Sequence, residues 1–163
     1  MAALIGAVTY QAIQLHNRPT ANTIRPQSTW QPGVSISNLV GMRLSDGTRQ
    51  KIDLSGEKIL YTFSPKCSWC TKNLANAESV HRLQKSRFIG LSSVRDGLEK
   101  YVLDHGITYP VYYNLNQANV SITPSTVVAQ DGLIIQSWEG AWGKDNKTRI
   151  ESYFPGLTLP GVK

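Results

Sequence analysis

Apolar and polar positions change their period several times along this chain, and each change predicts an element. Leu39 to Leu44 is strand-like, Asp46-Gly47 supplies a tight turn, and Lys51 to Leu54 returns with alternating apolar positions, which together read as a β-hairpin. Ile59-Leu60-Tyr61-Thr62-Phe63 is a nearly continuous β-prone run, the pattern of a central strand buried on both faces. After Ser64-Pro65-Lys66 the period becomes helical, with Leu74, Ala77, Val80 and Leu83 on one stripe. Phe88 to Leu91 predicts the next strand. Arg95 to Asp104 predicts a helix with Leu98 and Val102 inward, stopped by Gly106. Tyr109 to Tyr113 is short and β-rich. Val120 to Pro124 leads into a second hairpin, Ser125 to Ala129 and Leu133 to Trp138 around Asp131-Gly132, and Asp145 to Phe154 predicts a closing helix. The order is β-hairpin, βαβαβ, β-hairpin, α. It predicts an α/β domain, a central mixed sheet covered by helices on both faces, with an added N-terminal hairpin.

The first 34 residues follow another pattern. Residues 1–15, MAALIGAVTYQAIQL, are hydrophobic but too short to cross a bilayer, which takes roughly 20 apolar residues. They lack a charged leading region and a clear small-residue cleavage site. Two readings stay open: the tail of a signal or membrane-anchor segment, or an N-terminal helix packed on the domain. Residues 16–34 are polar and carry Pro19, Pro26 and Pro32, which argues for a linker. The layout therefore divides into a hydrophobic segment (1–15), a tether (16–34) and a globular domain (35–163). It suits a domain held at a membrane in a periplasmic or other extracytoplasmic space, facing a thiol donor in that membrane.

Composition narrows the picture. The chain has 163 residues, enough for one sizeable core, with 40% hydrophobic and 17% charged residues, so disorder is excluded for the body. The net charge of +6 is scattered, with no basic stripe interleaved with aromatics, so nucleic acid is not an expected partner. The 2 cysteines are too few for a disulfide framework. Zinc would need two more ligands at matching spacing, and His16, His81 and His105 form no second pair, so no metal or cofactor is expected.

That leaves Cys67-Ser68-Trp69-Cys70. A helix start favours a thiolate through its unpaired N–H groups, and the thiolate is the species that attacks a disulfide. Two intervening residues put Cys70 about one turn beyond Cys67, in reach of a disulfide. Cys67 is then the nucleophile and Cys70 the resolving thiol. The plain alternative is a pair of small buried hydrophobes. Lys66 either favours the thiolate or is an ordinary surface lysine. Trp69 either faces partners or packs in the core. Thr123-Pro124 stands just before a strand, an unusual place for proline unless the strand end is exposed or the bond is cis. A cis bond would turn the Thr123 backbone outward to pair with an extended substrate segment.

From Leu44 to about Trp142 the chain resembles the membrane-tethered thioredoxin-like thiol:disulfide oxidoreductases of the bacterial periplasm, the TlpA, ResA and DsbE group. The match rests on the Asp46-Gly47 hairpin, ILYTFSPKCSWC, HGITYPVYYN and ITPSTVVAQDGLIIQSWEG, in that order. The resemblance implies a thioredoxin-like fold, nucleophilic Cys67, resolving Cys70, a cis Pro124 beside them, with Ser68, Trp69 and Thr123 shaping the site, and protein disulfides as substrates. Three positions depart from it. Tyr61 stands where thioredoxins carry a buried acid, Asn73 where several tethered relatives carry a glutamate, and Lys66 where a tryptophan is usual. The rival readings are a thiol peroxidase, whose Pro-x-x-x-Thr-x-x-Cys pattern is absent here, and a non-catalytic binding module.

Overall fold

The computed structural model describes residues 30–117 and 122–161. Residues 1–15 and most of the expected linker lie outside the described residues, as do 118–121. Seven strands form one mixed sheet. They are β1 (Val40–Arg43), β2 (Arg49–Lys51), β3 (Glu57–Phe63), β4 (Phe88–Ser92), β5 (Val111–Tyr113), β6 (Ser125–Gln130) and β7 (Leu133–Glu139). The helices are α1 (Ser68–Lys72), α2 (Leu74–Gln84), α3 (Leu98–Asp104) and α4 (Lys144–Tyr153). Among the described residues, no helix is long and apolar enough to cross a membrane.

The strand order is β2-β1-β5-β4-β3-β6-β7. β3 runs parallel to β4, and β4 to β5, while the other pairs are antiparallel. The predicted central strand is indeed central: β3 lies between β4 and β6, and its last five residues are all buried. The second hairpin turns on Asp131 and Gly132, both at positive φ. A Cβ on Gly132 would lie 2.7 Å from the Cα of Ser37, so glycine answers both the turn and the close approach there.

The sheet has unlike faces. On one, Ile59, Tyr61 and Phe63 of β3 pack with Cys70, Ala77, Val80, Leu98, Tyr101 and Ile150 from all four helices. On the other, Leu60, Ile89, Val127 and Ala129 pack with Trp30, Ile36, Leu39 and Leu54 from non-helical segments. The element order predicts helices on both faces, yet among the described residues they cover one. The reason is topological: β3, β4 and β5 are successive parallel neighbours, so right-handed crossovers carry their helices to the same side. The second face is closed by the segment leading into β1. Trp30 is 4% exposed, Ile134 accepts the Gly33 N–H at 2.8 Å, and Gly132 accepts the Ile36 N–H at 2.7 Å. Residues 30–34, read from composition as tether, are therefore docked on the sheet.

Two helical expectations shift. The stretch after Cys67 is two helices with a break at Asn73, and Leu83, expected inward, is 45% exposed near the end of α2. α3 begins at Leu98, not Arg95, because Gly97 sits at φ +73° just before it.

Candidate active site

β3 delivers the chain to the site. It ends at Phe63, the Ser64 carbonyl accepts the Cys67 N–H at 3.0 Å, and Cys67 becomes the N-cap of α1 with an extended backbone, φ −98° and ψ 108°. The Cys67 sulfur, partly buried, accepts the Cys70 N–H at 3.2 Å, as a cap side chain should. Its thiol donates to the Thr123 carbonyl at 3.4 Å. Both cysteines are free thiols. Cys67 and Thr123 therefore meet across 56 residues of sequence. Lys66 does not touch the sulfur through any hydrogen bond of the described residues; its ammonium pairs with Asp96 at 2.7 Å, and both ends are well exposed.

The segment around Thr123 is tied to the strand that leads into the cysteines. The Thr62 hydroxyl on β3 accepts the Ser125 N–H at 3.1 Å, and the Ser125 hydroxyl donates to the Ile122 carbonyl at 2.8 Å. The Thr123–Pro124 bond is cis. Beside it a groove of about 370 Å³ runs between Trp69 and the β7–α4 loop, lined by Trp69, Thr123, Pro124, Gly140, Ala141 and Gly143. Trp69 is 54% exposed and carries the Lys72 ammonium over its ring at 4.7 Å, so it faces outward and not the core.

Cys70 has the opposite surroundings. It is 0% exposed, on the inner side of α1. Burial pushes its thiol up to about 12, helped by the hydrogen bond with the Cys67 side chain, so it holds its proton at neutral pH. Just beyond lies Asn73, also fully buried. The Asn73 carbonyl oxygen accepts from the Asn76 side-chain amide at 2.9 Å and from the Trp142 backbone N–H at 3.1 Å, and its NH₂ donates to the Tyr61 hydroxyl at 3.4 Å. Because a backbone N–H can only donate, the Trp142 contact fixes which end of the amide is oxygen. Tyr61 stacks on Phe63 and Phe88 and meets Trp142 edge-on, and burial drives its phenol well above the ordinary value. The two positions where relatives carry acids thus hold neutral groups already engaged in bonds.

Sequence reasoning missed the outer wall of the groove, Gly140, Ala141 and Gly143, and the role of Trp142. Their only sequence signal was the WEGAWG run after the second hairpin. It also missed Tyr101, whose hydroxyl lies 3.5 Å from that of Thr71.

No protein-family model and no curated protein matches this chain. Solved structures do. StoA from Bacillus subtilis superposes at a TM-score of 0.53 with 14% identity, over 66% of this chain and 92% of its own. A thiol-disulfide isomerase from Corynebacterium glutamicum gives 0.57 with 18% identity, over 77% and 98%. This chain has a thioredoxin-like fold. A secreted Mycobacterium tuberculosis disulfide oxidoreductase homologous to E. coli DsbE shares that fold at a TM-score of 0.51 and 13% identity, over 63% and 84%. At these identities the likeness is one of fold, and the chemistry has to come from the site.

Proposed function

We propose that this thioredoxin-like chain is a protein thiol:disulfide oxidoreductase, a reductase or thiol relay in an extracytoplasmic compartment, with Cys67 as nucleophile. The observation that carries the reading is the surroundings of one sulfur: Cys67 caps α1, takes the Cys70 N–H, and lies against the carbonyl of Thr123, a residue that itself lines an open groove. A thiolate attacking a disulfide needs a donor aimed at it, a partner thiol one turn away, and room for an incoming chain; all three converge there. The Cys67 thiolate attacks one sulfur of a partner's disulfide, forming a mixed disulfide as the partner's other sulfur leaves. The partner's chain lies extended along Thr123–Pro124, with an apolar side chain against Trp69 in the groove. Ser68 sits between the cysteines in the first turn of α1, and Lys66, held by Asp96, flanks the approach.

The extracytoplasmic location rests on the apolar N-terminal segment followed by a polar stretch, and on fold neighbours such as the secreted disulfide oxidoreductase. A membrane thiol donor upstream follows from the same layout. The test is insulin reduction with dithiothreitol as terminal reductant. The wild-type chain accelerates it, while Cys67→Ala falls to the uncatalysed background with its folded circular-dichroism spectrum retained. An unaffected rate in Cys67→Ala rejects the assignment.

A further inference from the structure

The last five residues of β3 are all buried, and four of them belong to the two apolar cores: Ile59, Tyr61 and Phe63 to one, Leu60 to the other. The exception is Thr62, which is 1% exposed. Side chains alternate along a strand, so Thr62 shares the Leu60 face, where the neighbours are Ile89, Leu91 and Val127. A hydroxyl buried on such a face costs free energy unless it is bonded. Valine would have filled the same space without that cost, so the partners of the hydroxyl matter.

Those partners all lie in one distant segment. Thr62 Oγ1 accepts the Ser125 N–H at 3.1 Å, and its own hydrogen has the Ser125 carbonyl at 3.3 Å and the Ile122 carbonyl at 3.4 Å within reach. The Ser125 hydroxyl, also buried, donates to the same Ile122 carbonyl at 2.8 Å. Two hydroxyls therefore hold the chain on both sides of Thr123–Pro124, at Ile122 before it and at Ser125 after it. Between these holds, Thr123 presents its carbonyl to the Cys67 thiol at 3.4 Å. The other end of that contact comes from the same strand: just past β3, the Ser64 carbonyl accepts the Cys67 N–H at 3.0 Å. One short strand thus sets both members of a contact that spans 56 residues.

We propose that Thr62 is a positioning residue for the reaction: its hydroxyl, with that of Ser125, fixes the Thr123 carbonyl against Cys67 and thereby biases the Cys67–Cys70 couple towards the dithiol. The inference rests on the assignment of Cys67 as nucleophile. The bias follows from which state owns the hydrogen. When the couple exchanges with glutathione disulfide, one S–S bond forms between Cys67 and Cys70 and one breaks in glutathione. The two thiol hydrogens and two electrons of the chain end on two glutathione thiols. Only the dithiol has a Cys67 S–H to donate to Thr123; the disulfide has none. Whatever holds the carbonyl in place therefore stabilises the reduced side alone, and keeps the attacking form populated between turnovers. Thr62 never touches the sulfur and acts through Thr123.

The test equilibrates the full chain with reduced and oxidised glutathione at pH 7 and reads the dithiol fraction by thiol alkylation. Thr62→Val keeps the shape of the side chain and removes the hydroxyl. It should move the equilibrium constant towards the disulfide by about fivefold, the size of one lost neutral hydrogen bond, or about 20 mV. Thr62→Ser gives up a methyl group and keeps the hydroxyl, so it should stay within about twofold of wild type. A role in packing alone would give the opposite order. Ser125→Ala removes the bond to the Ile122 carbonyl and should shift the constant in the same direction as Thr62→Val. An unchanged constant in Thr62→Val overturns the proposal, and so does a Thr62→Ser chain that shifts as far as the valine variant. If Thr62→Val does not fold, Ser125→Ala carries the test, and an unchanged constant there overturns the proposal. A wild-type chain that shows no reversible exchange with glutathione would instead remove the nucleophile assignment, so the two failures are distinguishable.

Discussion

The two sulfurs of one four-residue motif have opposite surroundings. Cys67 is partly exposed and bonded to Thr123, which lines an open groove with Trp69 and the glycines of the β7–α4 loop, while Cys70 is fully buried in the core that also holds Tyr61 and Trp142, the two bonded to buried Asn73. The difference separates two tasks that the motif alone would merge. The outer side admits a partner; the inner side fixes geometry. Changes on the inner side should therefore cost stability, and changes on the outer side should cost turnover on large partners.

The sharpest break is Trp142→Ala. Trp142 is fully buried, donates its indole N–H to Thr126 at 3.1 Å and its backbone N–H to Asn73, and meets the Tyr61 ring at 6.0 Å. Removing that ring should destabilise the domain by about 3–5 kcal/mol in urea unfolding, since the cavity would be deep and rigidly walled. A loss under about 1 kcal/mol would mean that the floor beneath Cys70 is not a tight network.

The second break is alkaline. Folding raises the Cys70 pKa, so its neutral thiol contributes stability that is fully present below the unfolded thiol's value near 8.5 and is lost as pH climbs towards about 12. The reduced wild type should lose about 1.4 kcal/mol per pH unit over that window from this group alone. Cys70→Ala should lose that slope. Tyr61 and Tyr109, also buried, are common to both proteins, so the difference between the two unfolding curves isolates the thiol.

Much of this inner side is legible in the order of the residues alone. The apolar run at 59–63 reads as a two-sided strand, and the Asp-Gly pairs marked both hairpins, where Gly47 in the first and Asp131 with Gly132 in the second take positive φ. The Cys67–Thr123 meeting was legible only through resemblance, since 56 residues separate the partners and no local pattern links them. The docking of Trp30 was illegible because a polar, proline-containing stretch reads as tether whichever surface it lies on. Leu83 misled in the other direction: it continues the apolar stripe of α2 in sequence, yet it stands exposed in the helix's last turn. Periodicity gives a segment's own facing, whereas the groove is made by loops whose shape depends on everything beneath them.

The groove gives the next prediction. Gly143 has ordinary dihedrals, φ −65° and ψ −174°, and a Cβ built there meets no atom within 4 Å, so the Gly143→Val side chain would project into the open space opposite Trp69. Stability should be nearly unchanged. The kcat/KM for reduction of insulin should fall about tenfold, or about 1.4 kcal/mol, while the rate at which Cys67 attacks Ellman's reagent, a small aromatic disulfide, stays within about twofold. Equal losses on both substrates would show that the groove shapes the sulfur and not the partner.

The smallest effect belongs to the pair at the rim. Lys66 and Asp96 are joined at 2.7 Å but both stand largely in water, and Lys66 lowers the Asp96 carboxyl below its usual range mainly through their hydrogen bond. Exposed pairs of this kind contribute little to stability because water competes for both charges and two long side chains must be held still. Asp96→Asn should leave the urea midpoint unchanged. It should, however, free the Lys66 ammonium one residue from Cys67, and a cation released there attracts an anionic disulfide such as Ellman's reagent through solvent. The rate of attack on Ellman's reagent should rise by no more than about threefold at low salt, and the gain should vanish at about 1 M salt, where the screening length shrinks to about 3 Å. A gain that persists in high salt would mean that Asp96 acts on the sulfur through structure, and the rim would then belong with the floor beneath it.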